Sequence, residues 1–134
     1  MKPRTLRRRL LIEATIALLL ARFAVRVMPA EKIVSWASRS PRRPDRFTPT
    51  TLIQAICRTV DEVGERPWMR AVCLPKAIAA QAMLRRRGVG GHLCLGAGRK
   101  EGELAAHAWL ELEQDVIIGG NGGLDRCTRL VSFG

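Results

Sequence analysis

Between Arg7 and Met28 apolar side chains return at mostly three- and four-residue steps: Leu10, Leu11, Ala14, Ile16, Ala17, Leu20, Ala21, Ala24 and Val27. That repeat predicts an α-helix, which Pro29 ends. Ala30–Ser38 reads as a second, short helix with Ile33, Val34 and Trp36 as its apolar content. Ser38–Pro49 carries Pro41, Pro44 and Pro49 among arginines and reads as a linker. Thr50 or Thr51 is placed to cap a third helix running to about Val63, with Leu52, Ile53, Ile56, Cys57 and Val60 as its buried stripe. Gly64 is its expected stop. Glu65–Ala71 is a loop around Pro67 and Trp68. A fourth helix begins at Val72–Cys73–Leu74–Pro75 and runs through Lys76–Arg87. Proline suits its first turn, three arginines suit its C-terminal dipole, and Gly88 terminates it.

After Gly91 the period shortens to two. His92–Gly98 and Leu104–Leu112 are expected strands joined by a turn at Arg99–Gly102. In the second, Ala106, Ala108, Leu110 and Leu112 alternate with His107, Trp109 and Glu111, as the two faces of a strand do. A hairpin turn at Glu113–Gln114 leads into Asp115–Gly119, and the glycines that follow make the next segment loose. Helices first and a small antiparallel sheet after them give an α+β fold. The 134 residues have room for one domain, helical over 1–64 and built of the fourth helix plus sheet over 65–134.

Charge sharpens this picture. The chain has 23 basic and 12 acidic residues, a net charge of +11. Residues 1–43 carry net +9 and residues 71–100 net +6, whereas residues 101–134 carry net −4, so part of the asymmetry is expected to be neutralised inside the fold. Such a balance suits an anionic partner. Against nucleic acid, tyrosine is absent and only three Phe and three Trp occur, so stacking platforms are scarce. The charge-free part of the first apolar run, Ala14–Ala21, falls far short of the roughly 20 residues a span requires. No clear small-residue cleavage site follows it. A cytoplasmic protein with reduced cysteines is expected, with weak contact between the basic first helix and a membrane surface left open.

Cys57, Cys73, Cys94 and Cys127 form no Cys-x-x-Cys pair, and the lone His92/Cys94 pair lacks the paired spacing of structural zinc. Neither a metal nor another cofactor is expected. Cys57 and Cys94 suit packing, and Glu111 reads as a surface strand residue. Cys73 differs from them. At a helix N-terminus the backbone N–H groups and the dipole favour a thiolate. His107 follows 34 positions later, far enough for a helix–strand–strand path to return an imidazole to the thiol. A Cys–His pair supplies a nucleophile and a general base for acyl transfer.

Arg70-Ala71-Val72-Cys73-Leu74-Pro75-Lys76-Ala77, then Leu84-Arg85-Arg86-Arg87-Gly88-Val89, resembles the catalytic helix of the lasso-peptide leader peptidases. Ala106-His107-Ala108-Trp109-Leu110-Glu111 resembles their histidine strand. The resemblance implies a transglutaminase-like, papain-like core and a cysteine protease of ribosomal-peptide maturation. Cys73 would be the nucleophile and His107 the base. The backbone N–H of Cys73 would be the first oxyanion donor. Trp68 would sit at the cleft rim or pack beneath it. The family's orienting aspartate is missing from its place. Turning at Glu113–Gln114 sets His107 opposite Gly120, and Asp115 lies five residues away along the ladder, too far at about 3.4 Å per residue. Asn121 is the first candidate for the third member, Asp125 the second, a backbone carbonyl the third. The implied partners are the precursor's leader peptide, a separate leader-recognition protein and an ATP-dependent macrolactam cyclase. The rival readings are a non-catalytic basic module for nucleic acid or membrane, and acyl transfer to an amine by the same Cys–His pair.

Overall fold

The computed structural model describes residues 3–37, 48–112, 115–118 and 127–133. The chain forms α1 (Pro3–Val27), α2 (Ala30–Ala37), α3 (Thr50–Gly64) and α4 (Cys73–Arg86), then β1 (His92–Lys100), β2 (Glu103–Leu112), β3 (Asp115–Ile118) and β4 (Cys127–Phe133). The strands make one antiparallel sheet in the order β3-β2-β1-β4. This is the expected α+β arrangement of helices followed by a sheet.

The helices pack because each has a face to lose to solvent. Leu10, Ala14, Leu18 and Ala21 of α1 are buried, as are Ile56, Cys57, Val60 and Val63 of α3. Between them and the sheet runs α4, whose Ala77, Ala79 and Ala80 are fully enclosed beside Ile78, Met83 and Leu84. Such small side chains allow other elements to approach α4 closely. From the sheet, Leu93, Leu110 and Ile118 join this cluster. Cross-strand partners Leu93 and Leu110 thus mark the sheet face turned toward the helices. The opposite face carries Cys94 with its partner Trp109, and Gly96 with its partner His107.

Helix boundaries follow local chemistry. Neither Thr50 nor Thr51 caps α3. Pro49 takes the N-cap position at φ −62° and ψ 140° with no side-chain cap, and its carbonyl accepts from the N–H groups of Leu52 and Ile53. Proline's fixed φ suits that place, which pushes both threonines into the first turn. Gly64 is the last residue of α3, and its value is close approach. A Cβ there would lie 2.6 Å from Cε of Lys76, whose ammonium reaches Asp61 and Glu65. Gly88, in contrast, closes α4 at φ 80°. The Gly88 N–H donates to Arg85 and the Val89 N–H to Leu84, the paired bonds of a Schellman ending. The β1–β2 turn is tighter than expected, only Glu101 and Gly102, both at positive φ, as a two-residue hairpin of the favoured hand requires.

Two further expectations change. β4 pairs along β1, where the sequence had suggested only a loose segment. The β2–β3 ladder shifts register. Leu112 faces Asp115 and Glu111 faces Val116, as counted from the turn, but Leu110 faces Ile118. One extra residue in β3 moves the count by one at Leu110; Gly120, expected opposite His107, lies outside the described residues.

The basic excess is partly neutralised, by acids of the helical half. Arg7 and Arg66 pair with Glu62, and Arg86 and Arg87 with Glu13. Arg87 and Glu13 share two hydrogen bonds of 2.9 and 2.7 Å, tying the end of α4 to the middle of α1. Burial alone would raise the Glu13 carboxyl, but the hydrogen bonds and charges of Arg87 and Arg86 outweigh it and hold the group below its ordinary value. A depressed carboxyl stabilises the fold above its unfolded pKa, and that contribution disappears as pH falls through the folded pKa. Glu13→Gln should therefore lose about 1 kcal/mol at neutral pH. It should also show a flatter decline than the native chain in urea melts run below pH 5, where both proteins converge.

Candidate active site

Loop 65–72 delivers the chain to the start of α4. Met69, 1% exposed, anchors it. The Arg66 carbonyl accepts from the N–H groups of Met69 and Arg70, and the Ala71 N–H returns to Gly64. Arg70 is held at φ 40°, a conformation that costs a non-glycine residue of order 1 kcal/mol. Trp68 is 57% exposed, which removes a packing role and leaves it at the surface of this loop.

Cys73 is the first residue of α4. The N-cap, Val72, is extended and offers no side-chain hydrogen bond, and Pro75 has no N–H. The thiol therefore stands at the positive end of the helix, where no side chain caps the terminus. It is half-buried, and its Sγ accepts from the backbone N–H of Ala108 at 3.4 Å. Ala108 directly follows His107, so the fold seats the sulfur on the backbone of the histidine strand, with the His107 side chain itself on the opposite face of β2. Among the described residues, β2 pairs with β3 only at Leu110, Glu111 and Leu112, and the Ala108 amide lies beyond that stretch.

His107 is 7% exposed, and its ring stacks on Trp109 with centroids 5.9 Å apart and planes at 21°. Trp109 donates from Nε1 to Oε1 of Glu111 at 2.9 Å. Strand alternation thus sets His107, Trp109 and Glu111 in a row on one face. All three are buried, which corrects the expectation that Glu111 is a surface residue. The alternation identified the row but carried no sign that this face is covered too. Glu111 fixes the Trp109 indole, and the indole limits the ring positions open to His107.

Asn121 and Asp125, the candidates for the third member, lie outside the described residues. Asp115 pairs with Leu112, five residues from His107, in keeping with its exclusion. His92 is exposed at the start of β1. Cys57 and Cys94 are buried thiols, as expected, and Cys127 opens β4 with its side chain outside the described part. Burial, with the Asp61 carboxylate adding to it, pushes the Cys57 thiol up to about 12. Iodoacetamide at pH 8 should therefore alkylate Cys73 at least about tenfold faster than Cys57 or Cys94. Peptide mapping at successive times checks the order, and equal labelling of all three would remove the distinction drawn for Cys73.

No match was found among curated proteins or among solved structures. A family model described as the transglutaminase-like superfamily matches residues 15–132, an interval that takes in Cys73, His107 and, but for Phe133, all four strands. The helix-start thiol set against a histidine strand is thus part of a larger agreement, and the chain belongs to the transglutaminase-like superfamily.

Proposed function

We propose that this protein is a cysteine peptidase that removes the leader from a ribosomally made lasso-peptide precursor. The observation that carries the reading is the contact of Cys73 Sγ with the Ala108 amide, within a superfamily whose members are usually Cys–His enzymes. The leader-peptidase specificity rests on the resemblance of the Cys73 and His107 blocks.

In this mechanism the His107 ring, which strand alternation sets on the face of β2 away from α4, must turn toward α4 to take the thiol proton, and Cys73 Sγ then attacks the carbonyl carbon of the scissile bond. The oxyanion forms beside the N-terminus of α4, where the Cys73 backbone N–H is its first donor. His107 then gives its proton to the leaving amine, which frees the core peptide and leaves the leader as a thioester on Cys73. Water, deprotonated by His107, attacks the thioester and restores the thiol. The liberated amine is the nucleophile that an ATP-dependent macrolactam cyclase would consume. A separate leader-binding protein presents the substrate.

The test is mass spectrometry of a lasso precursor incubated with this chain, with and without its leader-binding protein, beside Cys73→Ala. A leader fragment bearing a free carboxylate, formed only with Cys73 intact, is expected. An uncut precursor with both proteins folded would overturn the peptidase. A leader joined to an added amine in place of water would assign amine transfer instead. In the same assay Asn121→Ala should slow cleavage if its amide orients His107; an unchanged rate would transfer that role to Asp125 or a backbone carbonyl.

A further inference from the structure

The large exposed apolar side chains are concentrated on α1. Leu10, Ala14, Leu18 and Ala21 face the core, but Ile12, Ile16, Leu19, Leu20, Phe23 and Val27 form a second stripe on the opposite side, each 49–64% exposed. At 3.6 residues per turn these six positions share about a third of the helix circumference. The same repeat places Arg4, Arg8, Arg22 and Arg26 along one edge of that stripe, and Arg9 rises within it. The one acid of α1, Glu13, is held by Arg86 and Arg87. Inward of the stripe lies a cavity of about 640 Å³, lined by Ile16 and Leu20 of α1, Trp36 of α2, and Ile78 and Met83 of α4.

From this placement we infer that α1 lies flat on an anionic lipid surface, its outer apolar stripe sunk among the acyl chains and its arginine edge on the headgroups. Three observations favour lipid. The stripe is long, running from Ile12 to Val27 at about 1.5 Å of helix per residue. Its border is cationic, and arginine stems reach from such depth to the headgroup level. The cavity is lined largely by apolar side chains, and fluid hydrocarbon fills such a recess without a matching shape. Crossing the bilayer is a different matter: no helix among the described residues is long and apolar enough for it. The inference stands apart from the peptidase reading, because none of these residues belongs to the Cys73–His107 site.

The test is co-sedimentation of the full chain, in the Cys73→Ala form so that peptidase chemistry plays no part, with two kinds of vesicle. Vesicles of phosphatidylglycerol and phosphatidylcholine in equal parts should carry the protein down, and pure phosphatidylcholine should carry at least about tenfold less. Added salt should weaken the binding. Leu20→Glu with Phe23→Glu, both at exposed positions, should abolish sedimentation while circular dichroism stays native. Arg8→Gln with Arg26→Gln should lower binding to the mixed vesicles by roughly tenfold or more. Equal binding to both vesicle types, or full binding by the Leu20/Phe23 variant, would overturn the inference. So would light scattering that shows a dimer dissolved by that variant, which would assign the stripe to a second copy of the chain. Loss of lipid-free precursor cleavage in the Leu20/Phe23 variant with Cys73 restored would likewise assign it to a protein partner.

Discussion

Cys73→Ala will give a folded protein that forms no acyl-enzyme. The side chain is half-buried and its one described hydrogen bond is accepted by sulfur from the Ala108 amide, so stability should change by less than about 1 kcal/mol. Precursor cleavage should fall by at least about 10⁴-fold, because without the thiol only binding and oxyanion contacts remain. His107→Ala should fall nearly as far, and the double variant should be scarcely slower than either single one. In the proposed mechanism nucleophile and base act as one unit, so their losses do not add. His107 also stacks on Trp109, and truncating it opens space beside the indole. His107→Gln therefore serves as the control that separates lost base from lost packing. Turnover by mass spectrometry, read beside urea melts, checks the set. Residual cleavage by Cys73→Ala within tenfold of native would end the assignment of the nucleophile.

The site's thiol was legible before its surroundings were. Pro75 and Gly88 bracket α4 by backbone rules alone, and a cysteine just before that proline must stand at the helix start. The two-residue period likewise placed His107 on a strand. What the thiol touches needed the tertiary fold, because only the packing of α4 on β2 brings the sulfur to the Ala108 amide, while the His107 side chain belongs to the other face of that strand. Burial on both faces of β2 was hidden, since alternation separates faces without saying what covers them; hence Glu111 passed for a surface residue. β4 was hidden by the glycines before it, which erase any period leading into Cys127–Phe133. The register shift at Leu110 was hidden because one extra residue in β3 leaves no mark on composition. On α1 the near-continuous apolar content was plain in the sequence, but only packing divides it into a buried stripe and an exposed one.

The contact that holds α4 against the sheet also predicts the largest loss of stability. Gln81, on the second half of α4, is 1% exposed. Its Nε2 donates to the Gly91 carbonyl at 2.7 Å, and its Oε1 accepts from the Gly91 N–H at 3.0 Å. One amide side chain thus pairs with both backbone groups of Gly91, as a neighbouring strand would, immediately before β1 begins at His92. The same Nε2 reaches the carbonyl of Ala37 at the end of α2. Gln81→Ala strips these partners at once and leaves a hole where the side chain was. Two buried backbone groups without partners cost about 1–3 kcal/mol each, partly relieved by entering water. A net loss near 3 kcal/mol is expected, a large fraction of the total for a domain of this size. Gln81→Leu keeps the volume and loses only the pairing, so it should recover part of that loss and no more. The urea midpoint reports both. The consequence reaches the site through β1, since Gly96 of that strand is the cross-strand partner of His107. Once Gly91 is released from α4, the sheet is free to shift against the helix that carries Cys73. Gln81→Leu, assayed where it remains fully folded, should therefore cleave precursor more slowly than the native chain with little change in KM. A variant as stable and as fast as native would show that the Gln81–Gly91 pairing supports neither the fold nor the alignment of thiol and histidine strand.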